Sequence, residues 1–334
     1  MLMPPLPLII DCDPGIDDAL ALLVAAAAPQ LALRAVTCVA GNRPVAQTTP
    51  NARRVLDLAG ATGVPVYAGC ARPIAQPEPR SNLVHGEDGL GGVVLPLHGT
   101  IAEDHAVDVL LQALLAEPPG TLHVVALGPL TNLALAELRV PGVLQRAARL
   151  DIMGGAAFCP GNVTPHAEFN FHCDPLAAQI VLTSGATLRI FGLDVTTQAA
   201  MSEPWRASIA ALPGDVAAAT AAMLQSYADV DPLLHDVCPV AALIEPDLFA
   251  GPLCRVAVEW RDPASEGRLL AQVVDAAPAG ERGIAQVITQ VDTERLLALV
   301  RACVERLPRP EAAAAEHAPG PAAQVTVRAD TANT

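Results

Sequence analysis

The chain has no lysine, and all 20 of its basic residues are arginine. This absence excludes the lysine of a P-loop and every mechanism in which a lysine forms a Schiff base. Acidic residues outnumber the arginines, and the formal net charge is −15. Phosphate surfaces are bound by clustered basic side chains, so neither a nucleic acid nor an anionic membrane is an expected partner.

The chain also lacks paired cysteines and long apolar segments. No two of the eight cysteines form a C-x-x-C pair, and several lie in apolar runs, so we expect buried, reduced thiols in a cytoplasmic protein. The apolar segment Met1–Ile10 has neither the basic start nor the cleavage site of a signal peptide. Residues 19–28 form an apolar run about half as long as a membrane span.

The 334 residues, of which 52% are hydrophobic, are enough to bury a sizeable core. Short apolar, β-branched runs alternate with helical patterns. This alternation predicts an α/β fold with an open, mainly parallel, doubly wound sheet flanked by helices. The predicted strands are Leu6–Ile10, Leu33–Val39, Val64–Tyr67, Leu122–Leu127, Leu150–Met153 and Leu188–Phe191, and the predicted helices are Ile16–Ala28, Gln47–Ala59, 105–116, 130–138 and 175–184.

The C-terminal part continues the same domain. We predict a single domain over residues 1–307 and a disordered, Pro- and Ala-rich tail over residues 308–334. The elements predicted in this part are helices over 200–247, strands at Cys254–Trp260, Leu270–Val274 and Ile284–Gln290 that could form a meander, and a closing helix at Asp292–Arg306.

Polar or glycine-rich turns follow the predicted strands. In an open α/β sheet such turns meet at the carboxyl edge, where ligands bind. Glycines at these positions let the backbone approach a ligand closely. The turns are Asp11-Cys-Asp-Pro-Gly, Ala40-Gly-Asn, Leu127-Gly-Pro-Leu-Thr-Asn, Met153-Gly-Gly and Gly192-Leu-Asp-Val-Thr.

Four carboxylates lie within eight residues after the first strand, at Asp11, Asp13, Asp17 and Asp18. One or two of them could simply serve the first turn of a helix, where the dipole favours negative charge. Four together repel one another, so a bound cation is the better interpretation. Oxygen ligands select a hard ion, Ca²⁺ or Mg²⁺, and zinc is disfavoured because no histidine is close in sequence.

Two further segments carry polar side chains. Glu168 and Asn170 alternate with two phenylalanines, which predicts an extended segment with one polar face, and with Asn162 they suit the hydroxyl groups of a sugar. His235-Asp236 could be the polar first turn of a helix, or a histidine placed for proton transfer beside a metal carboxylate. His85 lies in a glycine-rich loop that could cover a site.

The motifs together resemble those of the inosine-uridine-preferring nucleoside hydrolases. They occur in the order typical of that family and extend to about residue 307. They are Asp11-Cys-Asp-Pro-Gly-Ile-Asp-Asp-Ala, Val39-Ala-Gly-Asn, His85-Gly-Glu-Asp-Gly-Leu, Gly128-Pro-Leu-Thr-Asn, Met153-Gly-Gly, Ala167-Glu-Phe-Asn and His235-Asp-Val-Cys.

The resemblance implies hydrolysis of the N-glycosidic bond of ribonucleosides by a calcium-bound water. Asp13 would be the general base, and His235 would protonate the departing base. The implied calcium ligands are the carboxylates of Asp13, Asp18 and Asp236 and the backbone carbonyl of Leu127. The implied substrate contacts are Asp17 and Asn170 at the 2′- and 3′-hydroxyls with Asp236 and Asn42 nearby, Asn162, Glu168 and Met153 at the 5′-hydroxyl, and His85 beside the nucleobase.

The resemblance does not determine the base preference or the exact oligomeric state. The segment Tyr227–Pro232 is variable in the family and helps to set base preference, so purine or pyrimidine preference is not predicted. Members commonly form homodimers or homotetramers, and one of these states is expected here.

Two other functions remain possible at this point. Asp11-Cys-Asp also matches the D-x-D of an Mg²⁺-dependent, haloacid-dehalogenase-type phosphatase, although such enzymes normally use a lysine that this chain lacks. A non-catalytic protein that binds ribose or nucleosides could share the scaffold, although intact Asp13 and His235 disfavour it.

Overall fold

The structure, a computed structural model, describes residues 4–76, 78–277 and 280–307. The predicted tail over residues 308–334 lies outside the described residues. The strands in the described residues are β1 (Leu6–Cys12), β2 (Leu31–Cys38), β3 (Val66–Ala68), β4 (His123–Ala126), β5 (Arg149–Met153), β6 (Leu188–Phe191), β7 (Phe249–Ala250), β8 (Leu253–Val258), β9 (Leu269–Val273), β10 (Ile284–Val287) and β11 (Gln290–Val291).

Nine of these strands form one sheet in the order β3-β2-β1-β4-β5-β6-β10-β8-β9. All neighbouring pairs from β3 to β10 are parallel, whereas β8 is antiparallel to both β10 and β9. The predicted mainly parallel, doubly wound sheet is therefore confirmed. The strand order reverses between β1 and β4, and in open sheets ligands bind at the carboxyl ends beside such a reversal.

Helices cover both faces of the sheet, and each face has its own apolar cluster. Leu8 and Ile10 of β1 belong to one cluster and Ile9 to the other, which explains why this strand is apolar without interruption. The helices are α1 (Ile16–Ala27), α2 (Val45–Leu58), α3 (Ala106–Ala116), α4 (Thr131–Arg139), α5 (Phe169–Cys173), α6 (Pro175–Leu182), α7 (Leu193–Thr196), α8 (Glu203–Ala210), α9 (Asp215–Ala228), α10 (Val237–Ile244) and α11 (Thr293–Arg306), with 3-10 turns at Leu144–Arg146 and Pro246–Leu248.

The late strands differ from the predicted meander. β8 and β9 do form an antiparallel pair, but β10 inserts between β6 and β8 and is parallel to β6. The run that was predicted to end at Gln290 breaks into β10 and β11, and β11 pairs with β7 in a separate two-stranded sheet. Strand insertion depends on contacts between distant segments, so the local pattern did not contain it.

Helix α1 delivers acidic side chains to the carboxyl edge of the sheet. Its residues from Ile16 to Ala25 are buried, as an uninterrupted apolar run requires, and the helix ends before Pro29. Its first turn lies just beyond β1 and carries Asp17 and Asp18. Free backbone N–H groups and the helix dipole favour carboxylates there.

Two predictions about the chain's general character can be compared with the structure. All eight cysteines are free, and seven of them are buried, in agreement with the expected reduced thiols. Of the helices in the described ranges, none combines the length and the apolar character that a membrane crossing requires.

Candidate active site

A cavity of about 180 Å³ opens at the carboxyl edge of the sheet, where the strand order reverses. Twelve residues were predicted to form the site, and Asp13 and Asp18 are buried behind the cavity wall. The other ten line the cavity: Asp17, Asn42, His85, Leu127, Met153, Asn162, Glu168, Asn170, His235 and Asp236.

Asp18 joins the end of β1 to the start of α1. Its Oδ1 accepts a hydrogen bond from the backbone N–H of Asp13 at 3.2 Å, and its Oδ2 accepts one from the backbone N–H of Gly15 at 2.9 Å. The bond from Gly15 satisfies a donor that the helix leaves free at its N-terminus, and the bond from Asp13 ties the preceding turn to it. Asp18 therefore stabilises the start of the helix, as expected if an acid serves only its first turn. It also belongs to the acidic cluster described below.

Asp13 is held between two glycines. A Cβ atom on Gly41 would lie 2.1 Å from Asp13 Oδ2, and one on Gly128 would lie 2.3 Å from Asp13 Oδ1. The close approach of both backbones explains the glycine at each of these strand-end turns. Asp13 Oδ2 accepts a hydrogen bond of 2.6 Å from the backbone N–H of Asn42, whereas its buried Oδ1 has no hydrogen-bond partner among the described residues.

Three buried carboxylates converge on one point. Asp17, Asp18 and Asp236 each offer an oxygen, and these oxygens lie within 4.8 Å of one another. Asp236 directly precedes α10, yet its side chain makes no capping hydrogen bond there. It faces the cavity instead, which favours the site interpretation of the His235-Asp236 pair over a helix start alone.

The electrostatics of this cluster fit a hard cation. Burial, followed by repulsion from neighbouring carboxylates, raises the pKa of Asp13 and of Asp236 well above the usual value, and the same two causes raise the pKa of Asp18. A divalent cation would offset both costs, because oxygen donors without enough hydrogen-bond donors need a positive partner. The predicted ligand set contains Asp13 and not Asp17, whereas the three converging carboxylates include Asp17 and not Asp13.

Asp11 supports the site from behind. Its Oδ1 accepts hydrogen bonds from Thr37 Oγ1 at 2.5 Å and from Asn132 Nδ2 at 2.8 Å. Asn132 also donates to the carbonyl of Cys38, so the network connects the ends of β1 and β2 with the start of α4. Burial raises the pKa of Asp11 to about 7.

Glu168 begins a helix, so the predicted extended segment is wrong. Its Oε1 accepts a hydrogen bond from the backbone N–H of Asn170, and its Oε2 accepts one from the backbone N–H of Phe171. A carboxylate that satisfies the free N–H groups of a first turn stabilises a helix, and here this local bonding prevails over the alternating pattern. Both Glu168 and Asn170 still face the cavity, as predicted.

Asn170 and Asn162 are held in place by backbone groups. Asn170 Nδ2 donates to the carbonyl oxygen of Leu127 at 2.7 Å and to that of Met153 at 3.3 Å. Asn162 Oδ1 accepts a hydrogen bond of 3.0 Å from the backbone N–H of Phe169. The ends of β4 and β5 and the start of α5 are thereby brought to one side of the cavity.

His85 lines the cavity and lies against the start of α1. Its Nδ1 accepts a hydrogen bond of 3.1 Å from the backbone N–H of Ile16, so the ring proton is on Nε2, 3.7 Å from Asp17 Oδ1. The ring stacks on Tyr227 with centroids 5.1 Å apart. Burial lowers the pKa of His85 below its usual value, so this ring is a neutral hydrogen-bond donor near neutral pH.

His235 has a different environment. Its Nδ1 is 2.8 Å from Thr196 Oγ1, and its Nε2 is 3.2 Å from Asp231 Oδ2. Burial acts to lower the pKa of His235, but the hydrogen bond and the charge of Asp231 outweigh it and raise this pKa. The site thus contains one histidine that favours the neutral form and one that favours the protonated form.

Several residues that contact the site were not assigned individually from sequence. Tyr227, Asp231 and Asn82 line the cavity, and Thr196 supports His235. Tyr227 and Asp231 lie in the segment expected to help set base preference, and Thr196 lies in one of the strand-end turns. Nothing in sequence connects Asn82 to the other site residues.

Comparisons with known proteins were made for the whole chain. Residues 8–298 match the family model described as inosine-uridine preferring nucleoside hydrolase. The inosine-uridine preferring nucleoside hydrolase of Crithidia fasciculata is 33% identical over 317 residues, covering 92% of this chain and 100% of its own. The pyrimidine-specific ribonucleoside hydrolase RihA of Photobacterium profundum is 41% identical over 263 residues, covering 76% and 84%. A similar solved structure, the purine-preferring ribonucleoside hydrolase from Gardnerella vaginalis, has a TM-score of 0.84 at 28% identity and covers 90% of this chain and 98% of its own.

Proposed function

The chain belongs to the inosine-uridine preferring nucleoside hydrolase family, and from that premise we propose that calcium is its metal and Asp13 its general base. The protein is a metal-dependent enzyme that hydrolyses the N-glycosidic bond of ribonucleosides to ribose and a free nucleobase. The D-x-D phosphatase and the non-catalytic binder, which the sequence left open, are set aside by this family membership.

The observation that carries the proposal is the state of the Asp13 carboxylate. One oxygen is fixed by the Asn42 N–H and the other is buried without a hydrogen-bond partner in the described part of the chain. A carboxylate oxygen kept free of donors can accept a proton from an attacking water. The backbones of Gly41 and Gly128 also approach the Asp13 oxygens closely, so the direction of this carboxylate is fixed before substrate arrives.

In this proposal Asp13, Asp18 and Asp236 hold the calcium ion, with the backbone carbonyl of Leu127 as a further ligand. Calcium, when bound, supplies orientation and a lowered pKa to the water that attacks the ribose. The residue set supports this because its donors are all oxygens, three buried carboxylates converge on one point, and Asp13 is buried nearby, directly after β1.

The ribose would lie between the ends of β1, β4 and β5. We assign the 2′- and 3′-hydroxyls to Asp17 and Asn170, with Asn42 and Asp236 nearby. The 5′-hydroxyl is assigned to Asn162, Glu168 and Met153. As the glycosidic bond breaks, positive charge develops on the ribose ring, and the surrounding carboxylates stabilise it.

The departing base would lie at the histidine end of the cavity. His235 is assigned the role of protonating the base, and His85 the role of a neutral donor beside it. The contacts of His235 support this assignment, because its environment favours the protonated ring. A base that leaves with a proton is a far better leaving group than its anion.

The assignment of His235 predicts a substrate-dependent loss. His235→Ala should lower kcat for purine nucleosides by about 10²-fold or more, because the base then leaves without a proton donor. Nitrophenyl riboside, whose leaving group needs no proton, should be affected much less. Steady-state kinetics on both substrates measure the difference, and an equal loss on both would show that His235 does not protonate the base.

We further propose a cytoplasmic homodimer or homotetramer. The free cysteines support a reducing compartment, and the expected assembly follows from the family. Analytical ultracentrifugation at micromolar concentration would distinguish the two assemblies from a monomer.

A further inference from the structure

The cavity is lined by two chemically different groups of residues. Asn162, Glu168 and Asn170 are the residues assigned to the sugar. Tyr227, Asp231 and His235 form the second group. The second group comes from the end of α9 and the segment that leads into α10, so any base that is bound beside His235 also meets Asp231.

Asp231 and His235 place an acceptor beside a donor. His235 Nδ1 is bound to the buried Thr196 hydroxyl, which leaves the Nε2 edge for the cavity. The Nε2 atom lies 3.2 Å from Asp231 Oδ2, and because a carboxylate only accepts, Nε2 carries the hydrogen. The Asp231 side chain is 28% exposed, so it is open to the cavity rather than enclosed by protein.

The segment that carries this pair is held by backbone hydrogen bonds. The Asp231 N–H donates to the carbonyl of Tyr227 at 2.8 Å, and the Met201 N–H donates to the carbonyl of Pro232 at 2.7 Å. The Leu234 N–H donates to Ala199 at 2.9 Å. Asp231 is therefore presented at a defined position before a ligand binds, as a specificity residue requires.

Purine nucleosides differ at the edge that such a pair would meet. Adenine presents the N7 acceptor next to the N6 amino donor, whereas guanine presents N7 next to the O6 acceptor. Hypoxanthine has the same 6-oxo edge. A donor beside an acceptor is complementary to the 6-amino edge, and the carboxylate opposes a 6-oxo group.

Binding of a base would also change the hydrogen bond that Asp231 accepts from His235. The His235 Nε2–H now points to Asp231, and it must turn to N7 when it protonates the base. Asp231 then loses its donor. A 6-amino group replaces that donor, but a 6-oxo group leaves the carboxylate facing another acceptor. Asp231 therefore keeps a hydrogen-bond donor only when the base carries such a donor next to N7.

We propose that Asp231, acting with His235, makes the enzyme select 6-aminopurine ribonucleosides over 6-oxopurine ribonucleosides. This inference rests on the proposed placement of the base beside His235. It assigns a substrate class within the purines, and it makes Asp231 the residue that distinguishes adenosine from inosine and guanosine.

The experiment compares adenosine, inosine, purine riboside and nitrophenyl riboside by release of free ribose. Purine riboside has only a hydrogen at position 6, so it tests the pair without a donor or an acceptor. For the unaltered enzyme we expect kcat/KM to fall in the order adenosine, purine riboside, inosine. The ratio of adenosine to inosine should be about ten or more.

The matched variants are Asp231→Asn and Asp229→Asn. An amide at position 231 can donate to a 6-oxo group, so the adenosine-to-inosine ratio should fall by about tenfold or more. Asp229 is exposed and outside the cavity lining, so its variant has the same change in charge and should keep the ratio of the unaltered enzyme.

The other outcomes distinguish failure of the Asp231 inference from failure of the proposed function. A ratio within twofold of the unaltered enzyme in Asp231→Asn, with nitrophenyl riboside still cleaved, overturns the inference and leaves the proposed function intact. A preference of the unaltered enzyme for inosine overturns it even if the Asp231→Asn variant fails to fold. No ribose from any of the four substrates would overturn the proposed function itself, and the inference with it.

Discussion

Asp13→Ala is expected to reduce kcat by more than about 10³-fold, because it removes the proposed general base and a proposed calcium ligand together. The more conservative Asp13→Asn keeps an oxygen that can accept the Asn42 N–H, so it removes proton acceptance with little change in shape. It should show nearly the same loss. Ribose release at saturating inosine or adenosine and millimolar calcium measures both.

The matched control is Asp11→Asn, two positions away in the same acidic segment. Asp11 Oδ1 accepts hydrogen bonds from Thr37 and Asn132, and an amide oxygen can accept both. We expect this variant to keep kcat within about tenfold of the unaltered enzyme. Near-normal turnover by Asp13→Asn would contradict the assignment of the base, and an equal loss in both variants would mean that any change in the cluster is damaging.

Removal of calcium is expected to lower both activity and melting temperature. In the proposed site the ion binds the folded protein and offsets repulsion among buried carboxylates, so an ion at about 100 times its Kd would stabilise the fold by about 2.7 kcal/mol. For a domain of this size that corresponds to roughly 3–8 °C in Tm. Differential scanning calorimetry with calcium and with a chelator measures the shift, and restored calcium should recover activity.

Two variants test which carboxylates respond to the ion. Asp236→Asn removes one charge from the cluster, so its Tm should depend much less on calcium than that of the unaltered enzyme. Asp17 lies near the same point but is assigned to the ribose, so Asp17→Asn should retain more calcium affinity than Asp13→Asn in a titration. The reverse order would move Asp17 into the ligand set in place of Asp13. Equal Tm with calcium and chelator in the unaltered enzyme would argue against a metal at this cluster.

Much of the fold followed from local patterns. A strand buried on both faces must be apolar, and β1 is apolar from Leu6 to Ile10; a buried helix must be apolar on all sides, and α1 is apolar from Ala19 onward. The alternation of such runs predicted the parallel sheet and placed most strands within a few residues of their observed ends. The insertion of β10 between β6 and β8 was not predictable in this way, because nothing local to either segment specifies its neighbour.

The sequence by itself determined that acidic side chains gather at the carboxyl edge of a doubly wound sheet. That conclusion needs only strand-end positions and mutual repulsion, and both can be inferred from neighbours along the chain. Only the tertiary structure decided how each acid is used. It separated Asp18, which accepts hydrogen bonds from backbone N–H groups just before α1, from Asp13, whose second oxygen has no donor among the described residues.

Sequence and tertiary structure also contributed differently at the part of the cavity assigned to the base. His235 could be identified from its motif, and Thr196 and Asp231 lie in segments that the sequence already placed near the site. Their hydrogen bonds to His235 could not be predicted, since hydrogen bonds between side chains depend on how separate loops are packed. Glu168 was predicted on an extended segment and instead begins a helix, because a carboxylate next to free N–H groups outweighs an alternating pattern of two phenylalanines. Residue type and spacing predict chemistry at one strand end, whereas three-dimensional packing decides which groups from different strands meet.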